Sequence, residues 1–223
     1  MDRLSRDQIE SIVLSDNVEV RGQFVAAFDS DIQRFIDNIN SVFEQLANIA
    51  ERLPRNSRCS WAQMFLFAAA NNLLISFHLL VNGFLISSGN LMRSWTEAIA
   101  MALLCSSPDA GVYERLTKEP DIFPVQKAPN FIKREKIAKK IDINQEGWEE
   151  LMKLMELFNK YSHASVFSLA SNIRLNENGE LVVGGDYDPE KKVAYSKEIL
   201  LRISACERLI ETADVVEKQL SIS

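Results

Sequence analysis

The chain has 223 residues, 47% of them hydrophobic and 25% charged, so it is long enough to bury the core of one large domain. Its 31 acidic and 25 basic side chains give a net charge of −6, which excludes a general electrostatic attraction to nucleic acid or to an anionic membrane. We therefore expect a single domain over residues 1–223, in which any contact with nucleic acid is local.

The cysteines and the N-terminal residues indicate a compartment. Cys59, Cys105 and Cys206 are far apart and form no CxxC pair, which favours reduced core thiols over catalytic or metal-ligating ones. Residues 1–7 lack the apolar stretch of a signal peptide. We expect a cytoplasmic protein.

The first half of the chain predicts three helices. Apolar residues recur in steps of four and three from Phe24 to Leu53, which predicts one amphipathic helix ended by Pro54. A second helix is predicted from about Ser60 to Ile86, and because it is apolar nearly all round it should lie at the centre. The stretch 87–90 (SSGN) predicts a break before a third helix at 91–105.

The second predicted helix is also long enough to be tested as a membrane span. Residues 61–81 would place Asn71 and His78 at membrane depth, and Arg93 and Glu97 interrupt the next apolar run. Each charged group would cost about 2 to 3 kcal/mol or more in a bilayer. The core of a soluble protein explains the same apolarity without that cost, so we expect no membrane partner.

The middle of the chain predicts a connector. Residues 106–130 contain four prolines and predict a Pro-rich connector with one short helix near 112–118. The basic segment 127–140 is by default a solvated helix face, although its lysines could contact RNA phosphates locally.

The remaining elements are a helix, a hairpin and a last helix. A helix is predicted over 145–161, and the Asn178-Gly179 turn between two apolar runs predicts a small β-hairpin. Asp188-Pro189 predicts the start of the last helix, which continues to about Leu220. The predicted buried residues are Trp148, Leu151, Met155 and Phe158 in the first of these helices, and Val193, Leu200, Ile203, Ile210, Ala213 and Val216 in the last. The fold class that follows is all-α, an antiparallel helical bundle with a small β-hairpin before the last helix.

Polar side chains on the apolar helices form the candidate site. Asn71, His78 and Asn82 share one face of the second helix, and Arg93 and Glu97 are four residues apart on the third, close enough to pair. Buried polar groups need partners, so these residues predict a buried polar cluster. It is either a network that sets helix register or a site for a small ligand.

His163 extends this hypothesis to the fourth helix. Glu156, Asn159 and His163 share one helical face, and an imidazole near a paired arginine and glutamate can move protons or bind an anion. The structural alternative is a histidine that bonds free carbonyls at a helix C-terminus. The site residues are Arg93, Glu97 and His163 for catalysis, if the chain is an enzyme, and Asn71, His78, Asn90 and Asn159 for ligand binding. No metal-ligand spacing and no glycine-rich phosphate loop are present, so we expect no metal and no cofactor.

Two motifs carry a resemblance. Residues 89–98 (GNLMRSWTEA) and 161–165 (YSHAS) resemble the R-S-x-x-E-A helix and the S-x-x-x-H-P-S-like segment of a group of uncharacterised bacterial helical-bundle proteins. That group is in turn similar to the HEPN superfamily, helical domains common in defence systems, some of which are metal-independent RNases with an R-x4-6-H motif. Here Phe158 stands at the arginine position, Asn159 matches the next position, and Ala164 replaces the proline.

The hypotheses for function come from two classes. The leading one is a non-catalytic helical binding or scaffold protein of unknown partner, with defence or stress systems as a candidate context. The alternative, implied by the resemblance, is a HEPN-like RNase or other phosphoryl-transfer enzyme. A protein partner, a small ligand, RNA and a second copy of the chain are the candidate partners. For a second copy, the first and last helices each offer an extended stripe.

Overall fold

The computed structural model of the chain describes residues 16–107, 112–114, 145–162, 172–174 and 181–221, with single residues at 6, 9, 10, 14 and 169. Its long elements are helices, so the all-α class is confirmed for these residues. They are α1 (Val18–Arg52), α2 (Ser57–Val81), α3 (Leu85–Ser106), α4 (Gln145–Ser162) and α5 (Lys192–Ser221), with a 3₁₀ turn at Pro189–Lys191 before α5.

Helix α1 buries the predicted stripe. Phe24, Phe28, Ile32, Phe35, Ile39, Val42 and Ile49 are buried, and Leu46 is partly buried. The helix ends at Arg52 because Leu53, the residue before Pro54, takes an extended conformation with ψ 146°.

The break between α2 and α3 lies earlier than predicted. It falls at residues 82–84, where Gly83 has a φ of +82°, a left-handed conformation that suits glycine. The predicted break at residues 87–90 is wrong, since Ser88 and Gly89 are buried inside α3. The Ser88 hydroxyl donates to the Ser76 carbonyl 2.7 Å away on α2, so this serine joins two helices instead of ending one.

Helix α2 is less central than its composition predicts. Its buried side faces the core, but Met64, Phe67, Leu74 and Ile75 are exposed on the other side. Within the described residues, α2 is the one helix long and apolar enough to cross a membrane by length and composition.

Contacts between aromatic rings show that α1 and α2 run in opposite directions. Phe35 stacks on Phe77 with ring centroids 3.7 Å apart, and further along α1 Phe43 meets Phe67, which lies earlier in α2, at 6.0 Å. Helices α2 and α3, joined by a three-residue turn, make the most extensive helix pair in the described part.

Helix α5 runs parallel to α1 and α3. Arg52 near the end of α1 pairs with Glu217 near the end of α5 at 2.6 Å, while Phe24 near the start of α1 contacts Tyr195 near the start of α5. The Ser106 hydroxyl at the end of α3 donates to the Gln219 side chain at 2.6 Å. The core therefore lies between α1, α2, α3 and α5, with α4 against α3.

The buried stripe of α5 differs from the predicted one. Val193 and Leu200 are exposed and Ile210 is only partly buried, whereas Ile203, Ala213 and Val216 are buried as predicted. A charged residue, Arg202, occupies a core position on this helix. The face around it, in steps of four and three, consists of Tyr195, Ile199, Arg202, Cys206, Leu209, Ala213, Val216 and Leu220.

The segment before α5 is held against the α2–α3 turn. Asp188 caps the 3₁₀ turn, as predicted, because its side chain accepts from the Glu190 amide at 3.1 Å. Ile173 and Leu181 form an isolated antiparallel bridge. The Asn178-Gly179 turn of the predicted hairpin, most of the 106–130 connector and all of the basic segment 127–140 lie outside the described residues.

Candidate functional site

The main buried polar feature is a set of five side chains from four helices, which we call the Arg202 network: Ser76, Ser88, Tyr161, Glu198 and Arg202. Arg202 has no exposed surface. Its Nε donates to Ser76 Oγ at 2.9 Å and its Nη2 to Ser88 Oγ at 2.7 Å. Its Nη1 donates to the carboxylate of Glu198 at 2.7 Å and to the Glu198 carbonyl at 2.8 Å.

The two serines of the network are satisfied on both sides. Ser76 Oγ donates to the Ser88 carbonyl at 2.9 Å, and Ser88 Oγ returns the bond to the Ser76 carbonyl. Each hydroxyl therefore donates to a carbonyl of the neighbouring helix and accepts from Arg202. This reciprocal pair fixes the register of α2 against α3.

Tyr161 brings α4 into the network because α3 carries a glycine opposite it. The Tyr161 hydroxyl donates to Glu198. A Cβ on Gly89 would lie 2.1 Å from Cδ1 of the Tyr161 ring, so only a glycine lets the ring approach α3 this closely. Burial, and then the negative charge of Glu198, raise the pKa of the Tyr161 phenol, which keeps it a neutral donor.

Among the residues that the structure describes, the Arg202 network is therefore buried and internally bonded. Its cation is paired and buried, with no solvent-exposed surface on which a ligand could bind. Sequence reasoning missed it, although Glu198 and Arg202 are four residues apart on an otherwise apolar helix face. That spacing was the available signal.

The predicted pair on α3 is present. Arg93 Nε donates to Glu97 Oε1 at 3.1 Å, with the two side chains 27% and 12% exposed. Helix α4 packs against α3, and Tyr161 contacts Gly89, one helical turn before Arg93. His163, the third residue of the predicted catalytic set, lies outside the described residues.

The predicted ligand-binding residues are not gathered in a buried cluster. Asn71, His78 and Asn90 are exposed and Asn159 is partly buried. The burial prediction for Asn71 and His78 is wrong because α2 turns that face to the surface. Asn82, in contrast, is buried, and its side chain donates to the His78 carbonyl at 2.7 Å.

Asn82 joins the end of α2 to the start of α1. Its side-chain oxygen accepts from Arg21 Nη1 at 3.2 Å, and its carbonyl accepts from the Asn17 side chain at 2.9 Å. A small cleft of about 90 Å³ lies beside this junction, between the start of α3 and the segment before α5. Its two charged lining groups are already engaged, since Lys191 Nζ donates to the Ile173 carbonyl at 2.5 Å and Asp186 pairs with Arg174 at 2.6 Å.

The exposed side of α2 carries the other distinctive surface. We call it the α2 face, and it consists of Met64, Phe67, Asn71, Leu74, Ile75 and His78. Partly buried Phe43 of α1 borders it through its contact with Phe67. Four of its six side chains are large and apolar, which is unusual for an exposed helix face.

The cysteines are buried free thiols. Burial raises the pKa of Cys105 and of Cys206 to about 12, so neither is a thiolate near neutral pH. Across the described residues, no group of three or more His, Cys, Asp or Glu side chains is arranged to hold a metal ion.

Comparison with known proteins adds no relative. No family model, no curated protein and no solved structure matches the chain.

Proposed function

We propose that this chain is a non-catalytic helical binding or scaffold protein, folded as an antiparallel bundle, and that the α2 face is its binding surface. The observation that carries the proposal is the exposed α2 face, where Phe67 and Met64 are each 59% exposed. Contiguous apolar surface of this kind marks sites of association.

The buried polar groups support a non-catalytic role. A catalytic group has to reach a substrate, whereas Arg202 and its partners bond to one another inside the core. Their arrangement suits a rigid scaffold, because a satisfied buried network sets how helices align. The opposite directions of α1 and α2 support the antiparallel arrangement, from which α5 departs because it runs parallel to α1.

A photo-crosslinker tests the binding surface directly. p-Benzoylphenylalanine introduced at position 67, in cells that produce the chain, should give a crosslinked product of discrete mass on illumination. The same residue at position 193, where the exposed Val193 lies on α5, is the matched control and should give none. Absence of any product at position 67, or equal products at both positions, would contradict the proposal.

A HEPN-like RNase is the second candidate, favoured by one observation. Tyr161, two residues before His163 in sequence, lies one helical turn from the partly open Arg93–Glu97 pair. The candidate context of defence or stress systems depends on the resemblance to the HEPN superfamily.

We also propose a cytoplasmic location for the chain, supported by its three free thiols.

An RNA cleavage assay without divalent metal separates the two candidates. The binding-protein proposal expects no cleavage of single-stranded RNA by the purified chain. Cleavage that is lost in both His163→Ala and Arg93→Ala, at unchanged thermal stability, would establish the RNase instead.

A further inference from the structure

The α2 face has the spacing of a helix–helix seam. Met64, Phe67, Asn71, Leu74 and His78 follow one another in steps of three and four, the pattern by which one helix packs along another. The polar Asn71 stands at the middle of this run, with apolar residues on both sides. A single asparagine in such a seam specifies register and oligomeric state.

Helix α2 beyond Arg58 and the first turns of α3 carry no formal charge. Between Arg58 and Arg93 the chain contains no Asp, Glu, Lys or Arg, although a quarter of all residues are charged. A second copy of α2 can therefore approach without like-charge repulsion. A charged partner would have nothing to pair with on this face.

We infer that the α2 face binds the α2 face of a second copy, antiparallel, about a two-fold axis that passes near Asn71. This inference rests on the proposed function and names its partner. An interface about a two-fold axis uses the same patch on both subunits, so the patch has to complement itself. The α2 face does so in the antiparallel direction, since Phe67 then meets Ile75 of the other copy, and Met64 meets His78.

Asn71 supplies the polar contact at the axis. Its amide carries both donors and an acceptor, so two copies of Asn71 that face each other can exchange hydrogen bonds. A shifted register would oppose Asn71 to an apolar side chain and leave its amide unpaired, which is unfavourable. Asn71 thereby selects the symmetric pairing.

The available area suits a modest dimer. The α2 face exposes four apolar side chains: Met64 (59%), Phe67 (59%), Leu74 (38%) and Ile75 (40%). Ile36 of α1 lies one heptad before the bordering Phe43 and is 48% exposed. At roughly 200 Å² for each fully exposed side chain, these five offer about 500 Å² of apolar surface. Together with Asn71, His78 and the residues around them, this surface approaches the ~800 Å² that each partner buries in a standard interface. We therefore expect a dissociation constant in the micromolar range.

Sedimentation equilibrium of the full chain tests association. The wild type should change from 25.3 kDa at low concentration toward twice that mass. Phe67→Glu and Leu74→Lys should each weaken dimerisation about 30-fold or more, while Val193→Glu, also at an exposed apolar site, should not. A wild-type mass that stays monomeric at about 200 µM would overturn the inference, because that concentration far exceeds the expected dissociation constant.

Introduced cysteines test the direction and the axis. Asn71→Cys should form a disulfide between copies, because the two positions meet at the axis. Ser60→Cys should not form a disulfide, because Ser60 lies eleven residues from the axis and its two copies are about 33 Å apart in the antiparallel pair. In a parallel pair the two copies of Ser60 would lie side by side and would crosslink. A mixture of Met64→Cys and His78→Cys should crosslink as a heterodimer, while neither variant should crosslink alone. Crosslinking of Ser60→Cys, or none in the mixture of Met64→Cys and His78→Cys, which both keep Asn71, would overturn the arrangement.

The photo-crosslinked product at position 67 distinguishes failure of this inference from failure of the proposed function. A product of twice the chain mass supports both. A discrete product with a different protein overturns the second copy and leaves the binding surface in place. A lipid product, or none, overturns both.

Discussion

Arg202→Met should be among the most damaging single substitutions in the chain. The guanidinium is fully buried, and its removal deprives Ser76 and Ser88 of a donor and Glu198 of its cation. Removing one partner of a buried pair costs about 3 to 5 kcal/mol, because the other charge stays buried without compensation. For a domain of this size we expect the melting temperature to fall by about 10 °C or more.

A double-mutant cycle isolates the pair from the packing. Glu198→Gln alone should also be strongly destabilising, since it leaves Arg202 without its counter-ion. The combination Glu198→Gln with Arg202→Met removes both charges while a side-chain oxygen remains for the Tyr161 hydroxyl, so it should cost much less than the sum of the single changes. Urea denaturation followed by circular dichroism measures all three free energies of unfolding.

An exposed ion pair on the same helix is the control. Arg208 meets Glu211 at 2.9 Å with both side chains largely exposed, so Arg208→Met should change the free energy of unfolding by about 0.5 kcal/mol or less. If Arg202→Met were as mild as Arg208→Met, or if the double variant were as unstable as the sum of the single variants, the reasoning about the buried network would be refuted.

Two further predictions concern packing and pH. Gly89→Ala should destabilise the fold by about 1 to 3 kcal/mol, because its Cβ would overlap the Tyr161 ring. Gly22→Ala is the control: a Cβ there has nothing within 4 Å, so the substitution should stabilise the fold by about 0.5 to 1 kcal/mol through helix propensity. Urea denaturation of both variants measures these changes, and a stabilising Gly89→Ala would contradict the contact with Tyr161. The buried thiols of Cys105 and Cys206 have a pKa raised from 9.0 to about 12, so they stay neutral in the folded state while the unfolded chain ionises. Their stabilising contribution is complete below pH 9 and is lost between about pH 9 and 12, at roughly 1.4 kcal/mol per pH unit for each thiol. Cys105→Ala should reduce this slope in a plot of stability against pH, and an unchanged slope would be evidence against the shift.

Local patterns were sufficient for the helices that have one continuous apolar stripe. The steps of four and three in α1, the stop before Pro54 and the cap at Asp188 each depend on neighbours in sequence, and the structure has them as predicted. The break after α2 lies at Asn82-Gly83 and not at the SSGN stretch, because small and polar residues such as Ser88 and Gly89 also fit inside a helix. Only tertiary contacts show that Ser88 and Gly89 serve packing against other helices.

The candidate site depended far more on tertiary structure. The sequence determined that Arg93 and Glu97 pair, since partners four residues apart on one helix meet whatever surrounds them. It did not determine that Arg202 is buried, because a charge enters a core only where other helices supply its partners, here Ser76 and Ser88.

The two sides of α2 show the same limit. The apolar composition of α2 identifies a helix that avoids water, but periodicity cannot tell which side a neighbouring helix covers. That choice follows from how α1, α3 and α5 pack around it, and their packing leaves the side that carries Phe67 and Leu74 exposed. The sequence thus determined the helices and their apolar faces, whereas the packing of distant segments decided which polar groups are buried and which apolar face is left for a partner.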